Sequence, residues 1–387
     1  MKKVLLRGPV LSQSGYGEHT RQIFRYLLTK KDVDVSVQIT PWGVTPWHLD
    51  ENYYGGLIGE AIKRSHVKPG EIYDVSFQVQ LPNEWDTSVA KYNVGVTAAV
   101  ETTNANPMWT VTHCEKMDKV IVPSIHSKKS LTNSGDTSTD INVVPESYYD
   151  ELLEEGKDLD LGLCTSFNFL TIGVLTGLTP DTDRKNLLYL IKWFCEEFKD
   201  DSDVGLIIKT SAGRETTLDR NNTKTLLKNV LNEIGYNGVP KIYLLHGSMT
   251  REDMTSLYKH EKVKAFLSLT KGEGFGLPHL EAAVSGLPVI ATNWSAHKEF
   301  LDKGKWIKVD YDLQKIPQSR VDGSIFLENS KWAIAKEKDL KKKIRTFRQK
   351  PDAPKKWAED LSKKLIEAYS QDTVNSLYDE VVGDILR

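Results

Sequence analysis

Apolar runs of strand length alternate with longer stretches of helical periodicity, twice over, and this alternation restricts the fold more than any other feature of the chain. The opening "KKVLLRGPV" reads as a buried strand and "LSQSGYGEH" as a small-residue loop. "TRQIFRYLLTK" follows as a helix with Ile23, Phe24, Leu27 and Leu28 on one face, and "VDVSVQIT" as a second strand. Further strands are expected at "YDVSFQVQ", "YNVGVTAAV" and "KVIVPS". The pattern breaks around "LGLCTSFNF", and a second series begins: strand 169–175, helix 184–199, strand "VGLIIKTS", helix 222–234, strand "KIYLLHG", helix 250–260, strand "AFLSLT", helix 277–285 and strand "PVIAT". Strands alternating with helices build a parallel sheet, so the expected class is α/β, with two Rossmann-like domains and ligands at the carboxyl ends of the strands. The expected domains are 1–165 and 166–350, followed by a helical segment 351–387. There Trp357, Leu361, Leu365 and Tyr369 recur at helical spacing and mark an apolar face that should pack on a domain.

At 387 residues the chain exceeds the usual span of one hydrophobic core, which supports two domains of about 150 to 200 residues each. A net charge of −2 argues against a chain that coats polyanions as a whole. Cys114, Cys164 and Cys195 are unevenly spaced with no CxxC pairing, which suits a reducing cytosol and offers neither a zinc site nor a disulfide framework. The apolar run Val4 to Leu6 is broken by Arg7, too short for a secretory signal. No stretch reaches the roughly 18 to 20 apolar residues that span a bilayer. A cytoplasmic protein is expected, with peripheral membrane contact left open. The strings Asp32-Val-Asp34 and Asp158-Leu-Asp160 fall at a strand start and in a polar segment, and imply no metal.

The segment "KGEGFGLPHLEAAVSGLPVIA" concentrates the chemistry. If "AFLSLT" is a strand and "LPHLEAAVSG" a helix, "KGEGFG" is the loop at the strand's carboxyl end. Pro278 fits the first helical turn and Gly286 the exit. Gly274 and Gly276 allow close backbone approach, and the free amides of a helix start can hold an anion such as a diphosphate. Glu273 and Glu281 then lie in the loop and a turn into the helix, placed to accept hydrogen bonds from sugar hydroxyls. Spacing alone leaves the alternative open that Glu281 is a solvated helix residue and Glu273 a loop charge.

This segment resembles the E-x7-E motif of the retaining, family 4 type glycosyltransferases of GT-B fold: both glutamates, the Gly274-Phe275-Gly276 turn, Pro278 and "SGLPVIAT" match. The resemblance implies two Rossmann-like domains facing across a cleft, with a last helix, "YSQDTVNSLYDEV", crossing back to the first. It implies that Glu273 contacts the transferred sugar, Glu281 the ribose, and the Gly274 to Gly276 turn the diphosphate. "FLTIGVLTGLTPDTDRKNLLYLI" is similar to the segment opening the nucleotide-binding domain, where basic residues hold the leaving diphosphate. Arg184 and Lys185 match the later basic position, while Val174 stands where the family carries an earlier arginine. Lys209, at the end of "VGLIIKTS", is a candidate to share that work. "KIYLLHGSMTREDMTSLY" resembles the segment beside the base, which places His246, Gly247 and Ser248 there. Gly15 and Gly17 match the glycine-rich loop that faces the diphosphate. The stretch "GVTAAVETTNANPMWTVTHCEKMDKVIVPS" resembles one branch of the family, in which Glu101 takes the place near the reacting sugar where other branches carry a histidine.

The activity implied is transfer of a hexosyl or pentosyl group from a UDP-, GDP- or ADP-sugar to an acceptor hydroxyl, without metal or other cofactor. A non-catalytic binding protein and a nucleotide-sugar isomerase share the architecture and stay open on the sequence. So does the acceptor. Segment 331–365 carries thirteen Lys or Arg against five Asp or Glu, which suits either a solvated helix face or an anionic acceptor such as modified DNA or an acidic glycan.

Overall fold

The computed structural model describes residues 1–68 and 70–387 and divides the chain into two compact units. The first comprises Met1–Ser147, Asp322–Ser330 and Gln371–Arg387, and the second Tyr148–Val321 and Lys331–Ser370.

In the first unit, strands β1 (Lys2–Gly8), β2 (Val33–Ile39), β3 (Tyr73–Val79), β4 (Ala90–Val96), β5 (Lys119–Val122) and β6 (Ile141–Val143) form one parallel sheet in the order β2-β1-β3-β4-β5-β6. Strand β6, only three residues long, was not foreseen, because "INV" is too short to show a period. The helix after β1 runs Gly15–Leu28, beginning five residues before the expected "TRQIF" stretch. Ser14 starts it early: its hydroxyl accepts the Gly17 N–H at 3.1 Å, the usual service of an N-cap serine. Gly15 and Gly17 are therefore in the first helical turn, not in the loop where the sequence pattern put them. A Cβ on Gly17 would lie 2.0 Å from the Ser12 carbonyl oxygen, so only glycine allows this turn.

The second unit repeats the architecture. Strands β7 (Phe167–Ile172), β8 (Val204–Thr210), β9 (Lys241–His246), β10 (Val263–Ser268), β11 (Val289–Thr292) and β12 (Ile307–Val309) form a parallel sheet in the order β12-β11-β10-β7-β8-β9. A two-stranded antiparallel ribbon, β13 (Tyr311–Lys315) with β14 (Lys331–Ala335), completes it. The helix expected from 184 starts later, at Leu187–Glu197. Asn186 is left-handed at φ +55°, and Asp183 accepts the Leu187 N–H at 2.7 Å, so the helix is capped there. Arg184 and Lys185 consequently lie in the loop that follows β7.

The segment 351–387 divides at Ser370. Helix Asp352–Ala368 turns Leu361 and Leu365 into the core of the second unit, and Ser362 donates to the Val284 carbonyl at 2.6 Å. Burying a leucine as fully as Leu365 contributes about 1.5 to 3 kcal/mol. Helix Gln371–Leu386 instead brings Val374, Tyr378, Val382 and Leu386 into the core of the first unit. The other crossing, expected near 165, falls at Ser147 and Tyr148, because Tyr148, Tyr149 and Leu152 already pack with the second core. Part of the basic stripe is paired with acids outside its own segment. Lys341 pairs with Glu196, Arg345 with Glu197, and Arg348 with Asp201 and Asp203. Among the described residues no helix is long and apolar enough to cross a membrane.

Candidate active site

The strand order of the second sheet reverses between β7 and β10, which leaves the loops after those strands side by side at its carboxyl edge, where doubly wound sheets bind ligands. One loop carries Arg184 and Lys185, the other Glu273. Lys185 Nζ donates to both carboxylate oxygens of Glu273, at 2.6 and 2.9 Å. Arg184 Nη1 lies 3.7 Å from Glu273 Oε2 and donates to the Gly272 carbonyl at 2.6 Å. Glu273 is 6% exposed. Burial by itself would raise its pKa, but Lys185, then Arg184, more than offset it and hold the carboxyl far below the usual carboxylate range. Two cations against one carboxylate leave a surplus positive charge suited to an anionic ligand.

The backbone of Glu273 is anchored separately. Its N–H donates to Ser295 Oγ at 3.0 Å, and its carbonyl accepts from the Ala296 N–H at 3.4 Å. Ser295 Oγ lies 3.3 Å from His297 Nδ1, and His297 Nε2 lies 2.7 Å from the Thr292 carbonyl. A carbonyl only accepts, so Nε2 carries the proton, Nδ1 accepts, and the Ser295 hydroxyl donates to it. His297 is fully buried and stacks on His279 with ring centroids 4.4 Å apart; burial lowers both pKa values and keeps the rings neutral. Gly276, at φ +103°, makes the turn into helix Leu277–Val284, where a Cβ would crowd His297 and His279 at 3.1 and 3.3 Å. Gly274 is buried beside it, and Phe275 packs its ring toward Phe300 and Tyr369.

A second cluster forms at the ends of β8 and β9. Lys209 is 9% exposed and its Nζ donates to the Gly247 carbonyl at 2.5 Å. Burial lowers its pKa, against the opposing pull of Glu215. Glu215 accepts from the Ser248 N–H and Oγ at 2.8 and 2.5 Å, and His246, with a pKa lowered by burial, closes β9. The structure thus gathers Lys209, His246, Gly247 and Ser248 around Glu215. Glu281 lies on the helix after the Gly276 turn, where Oε2 accepts from the buried Tyr258 hydroxyl at 2.8 Å.

In the first unit the strand order reverses between β1 and β3. Gly15 opens the helix after β1, and no atom lies within 4 Å of where its Cβ would be. Next to it, the Tyr16 hydroxyl accepts the Ala98 N–H at 3.0 Å and lies 3.0 Å from Thr97 Oγ1, while its ring stacks on Trp42 at 3.8 Å. Burial raises the Tyr16 pKa, and the Glu101 carboxylate, in the loop after β4, adds to the rise. Gly15, Gly17 and Glu101 thereby share one edge of this unit.

Residues 182–319 match the family Glycosyl transferases group 1, a stretch that holds Arg184, Lys185, Lys209, Glu273 and Glu281. This part of the second unit is similar to the glycosyltransferases of that family. Solved structures similar to it include sucrose-phosphate synthase from Thermosynechococcus elongatus, at TM-score 0.66 and 13% identity, covering 100% of this chain and 99% of that one. HepE from Anabaena, in complex with UDP and glucose, follows at 0.64 and 14%, covering 99% and 100%. A glycosyltransferase from Rickettsia africae gives 0.64 and 16%, covering 100% and 99%. At such identities these likenesses establish the GT-B fold and nothing finer. A search of curated protein sequences finds no match.

Several groups around the site escaped sequence reasoning. Ser295 and His297, in "NWSAHKEF", follow a short strand and show no spacing that ties them to Glu273. Glu215 and Tyr258 meet their partners only through the sheet. Lys271 alone carried a signal: a lysine directly after an apolar run and two residues before Glu273.

Proposed function

We propose that this protein is a glycosyltransferase that moves a sugar from a nucleoside-diphosphate sugar to an acceptor hydroxyl, with retention at the anomeric carbon and without metal. The observation that carries the reading is the Arg184–Lys185–Glu273 cluster at the strand reversal between β7 and β10. Arg184 and Lys185 hold the diphosphate, and Glu273 orients the sugar. The bond from the anomeric carbon to the diphosphate oxygen breaks, and its electron pair leaves on the diphosphate. Lys185, Arg184 and the Gly274 to Gly276 amides stabilise that charge, with Lys209 a more distant contributor. The acceptor oxygen attacks the same face, and its proton passes to a diphosphate oxygen, so the protein's part is electrostatic and positional. Glu281 accepts from the ribose and His246 to Ser248 line the base; Gly15, Gly17 and Glu101 are the candidate substrate contacts of the first unit.

Because HepE is complexed with UDP and glucose, UDP-glucose heads the donor panel. The pairing of Lys341, Arg345 and Arg348 with acids weakens the argument for a polyanionic acceptor. The test is a thermal-shift screen with UDP, GDP, ADP and their sugars, since a ligand that binds only the native state raises its stability. One nucleoside diphosphate should stabilise the protein and Glu281→Ala should abolish the effect. Turnover of the matching sugar, followed by NMR of the product anomer, then checks retention. An unmoved melting curve with every nucleotide would sink the reading, and an altered sugar formed without acceptor would replace it by isomerisation.

A further inference from the structure

We propose that Lys271 is a positioning residue that fastens the loop after β7 to the loop after β10 and so sets Arg184 and Lys185 beside Glu273. Its side chain is wholly buried. Nζ donates to the carbonyls of Pro180 and Asp181 at 2.7 and 2.8 Å and lies 4.8 Å from the centre of the buried Trp332 ring. Its own N–H donates to the Arg184 carbonyl at 2.8 Å, and its carbonyl accepts from the Ala333 N–H at 3.0 Å. The contacts continue in step: Arg184 reaches the Gly272 carbonyl and Lys185 the Glu273 carboxylate, so residues 271–273 and 180–185 are joined along their length.

Removing an ammonium from water is costly, and an apolar side chain would fill this space more cheaply. What Lys271 supplies is donors for two backbone carbonyls in a segment that belongs to neither strand nor helix. The other fastenings lie nearer the loop's base, where Thr176 Oγ1 donates to Asp183 at 2.9 Å and accepts the Arg184 N–H at 2.7 Å. Burial lowers the Lys271 pKa to about 8, with Asp183 and Asp181 favouring the charged form.

The catalytic part of this inference rests on reading Arg184 and Lys185 as the diphosphate cations, so the experiment has two arms. The first is hydrogen exchange of residues 174–186 in wild type and Lys271→Met. The variant should exchange there about 10-fold faster, with β8 unchanged. The second is steady-state kinetics of both proteins and of Arg184→Ala/Lys185→Ala with and without Lys271→Met. Lys271→Met should lower kcat about 10- to 100-fold and leave the acceptor KM in place, because a small displacement of the cations is felt in the transition state. In the double-alanine background it should add less than about 3-fold, since both changes act through the same groups. Unchanged loop exchange, or losses that multiply, would overturn the proposal. A wild type that neither binds nor turns over any donor sinks the functional reading, while the exchange arm still decides what Lys271 holds. Should Lys271→Met fail to fold, Thr176→Val releases the same loop from a half-buried position. It must then give both the faster exchange and the same kcat loss, or the proposal fails.

Discussion

Replacing Glu273 by glutamine keeps the shape of the side chain and removes the charge that holds Lys185 and Arg184. In the wild type the carboxylate accepts two hydrogen bonds from one ammonium, at 2.6 and 2.9 Å, with a guanidinium 3.7 Å away. A charge-assisted hydrogen bond contributes about 1.5 to 3 kcal/mol. Because the Lys185 side chain keeps 21% of its exposure, the lower part of that range applies, and Glu273→Gln should cost about 2 kcal/mol at pH 7. The sign follows from the depressed pKa. The unfolded carboxyl titrates at the ordinary value of 4.5 and the folded one far lower, so the stabilisation is complete above 4.5 and is lost as pH falls toward the folded value. The gap between wild type and variant should therefore shrink by about 1.4 kcal/mol per pH unit below 4.5, and be largely closed near pH 3. Urea unfolding of both proteins at pH 7, 4.5 and 3.5 measures it. Binding should move the other way, because Glu273 competes with a diphosphate for the same cations: nucleoside diphosphate affinity should rise about 10-fold, equivalent to about 1.4 kcal/mol, while transfer falls. A gap that ignores pH, or a variant with weakened nucleotide binding, would refute the reasoning.

The two glycines of the first unit make a matched pair. Gly17→Ala drives a Cβ to 2.0 Å from Ser12 and should lose at least about 2 kcal/mol, whereas Gly15→Ala, in open space, should stay within about 1 kcal/mol; thermal unfolding compares them. His297→Ala removes the ring that orients Ser295 under the Glu273 backbone, and should cost about 2 to 4 kcal/mol and lower kcat at least about 10-fold, measured by urea unfolding and donor turnover. Since Lys341, Arg345 and Arg348 are ion-paired, the protein should show no salt-dependent affinity for duplex DNA; a gel-shift series between low and moderate salt checks this.

Much of the fold was legible in the sequence because it is written in local period. Strands such as "VGLIIKTS" and "KIYLLHG" were placed to within two residues: the first, buried along its whole length, reads as a continuous apolar run, and the second, a half-buried edge strand, keeps a shorter one. The misplacements occur where a single side chain overrides the pattern. Ser14 starts the first helix five residues early, and Asp183 with Asn186 delays another by three, which puts Arg184 and Lys185 in a loop.

By itself the sequence determined the two α/β series, the turn at Gly274 to Gly276, and the charged residues around it, all of which depend on neighbours within a few positions. Strand order was decided only by the tertiary structure, since parallel strands are joined through long crossovers and adjacency is settled by packing. That order sets the loops after β7 and β10 together. It turns Glu273 and Lys185, 88 residues apart, into one ion pair, and gives buried Lys271, Ser295 and His297 their partners.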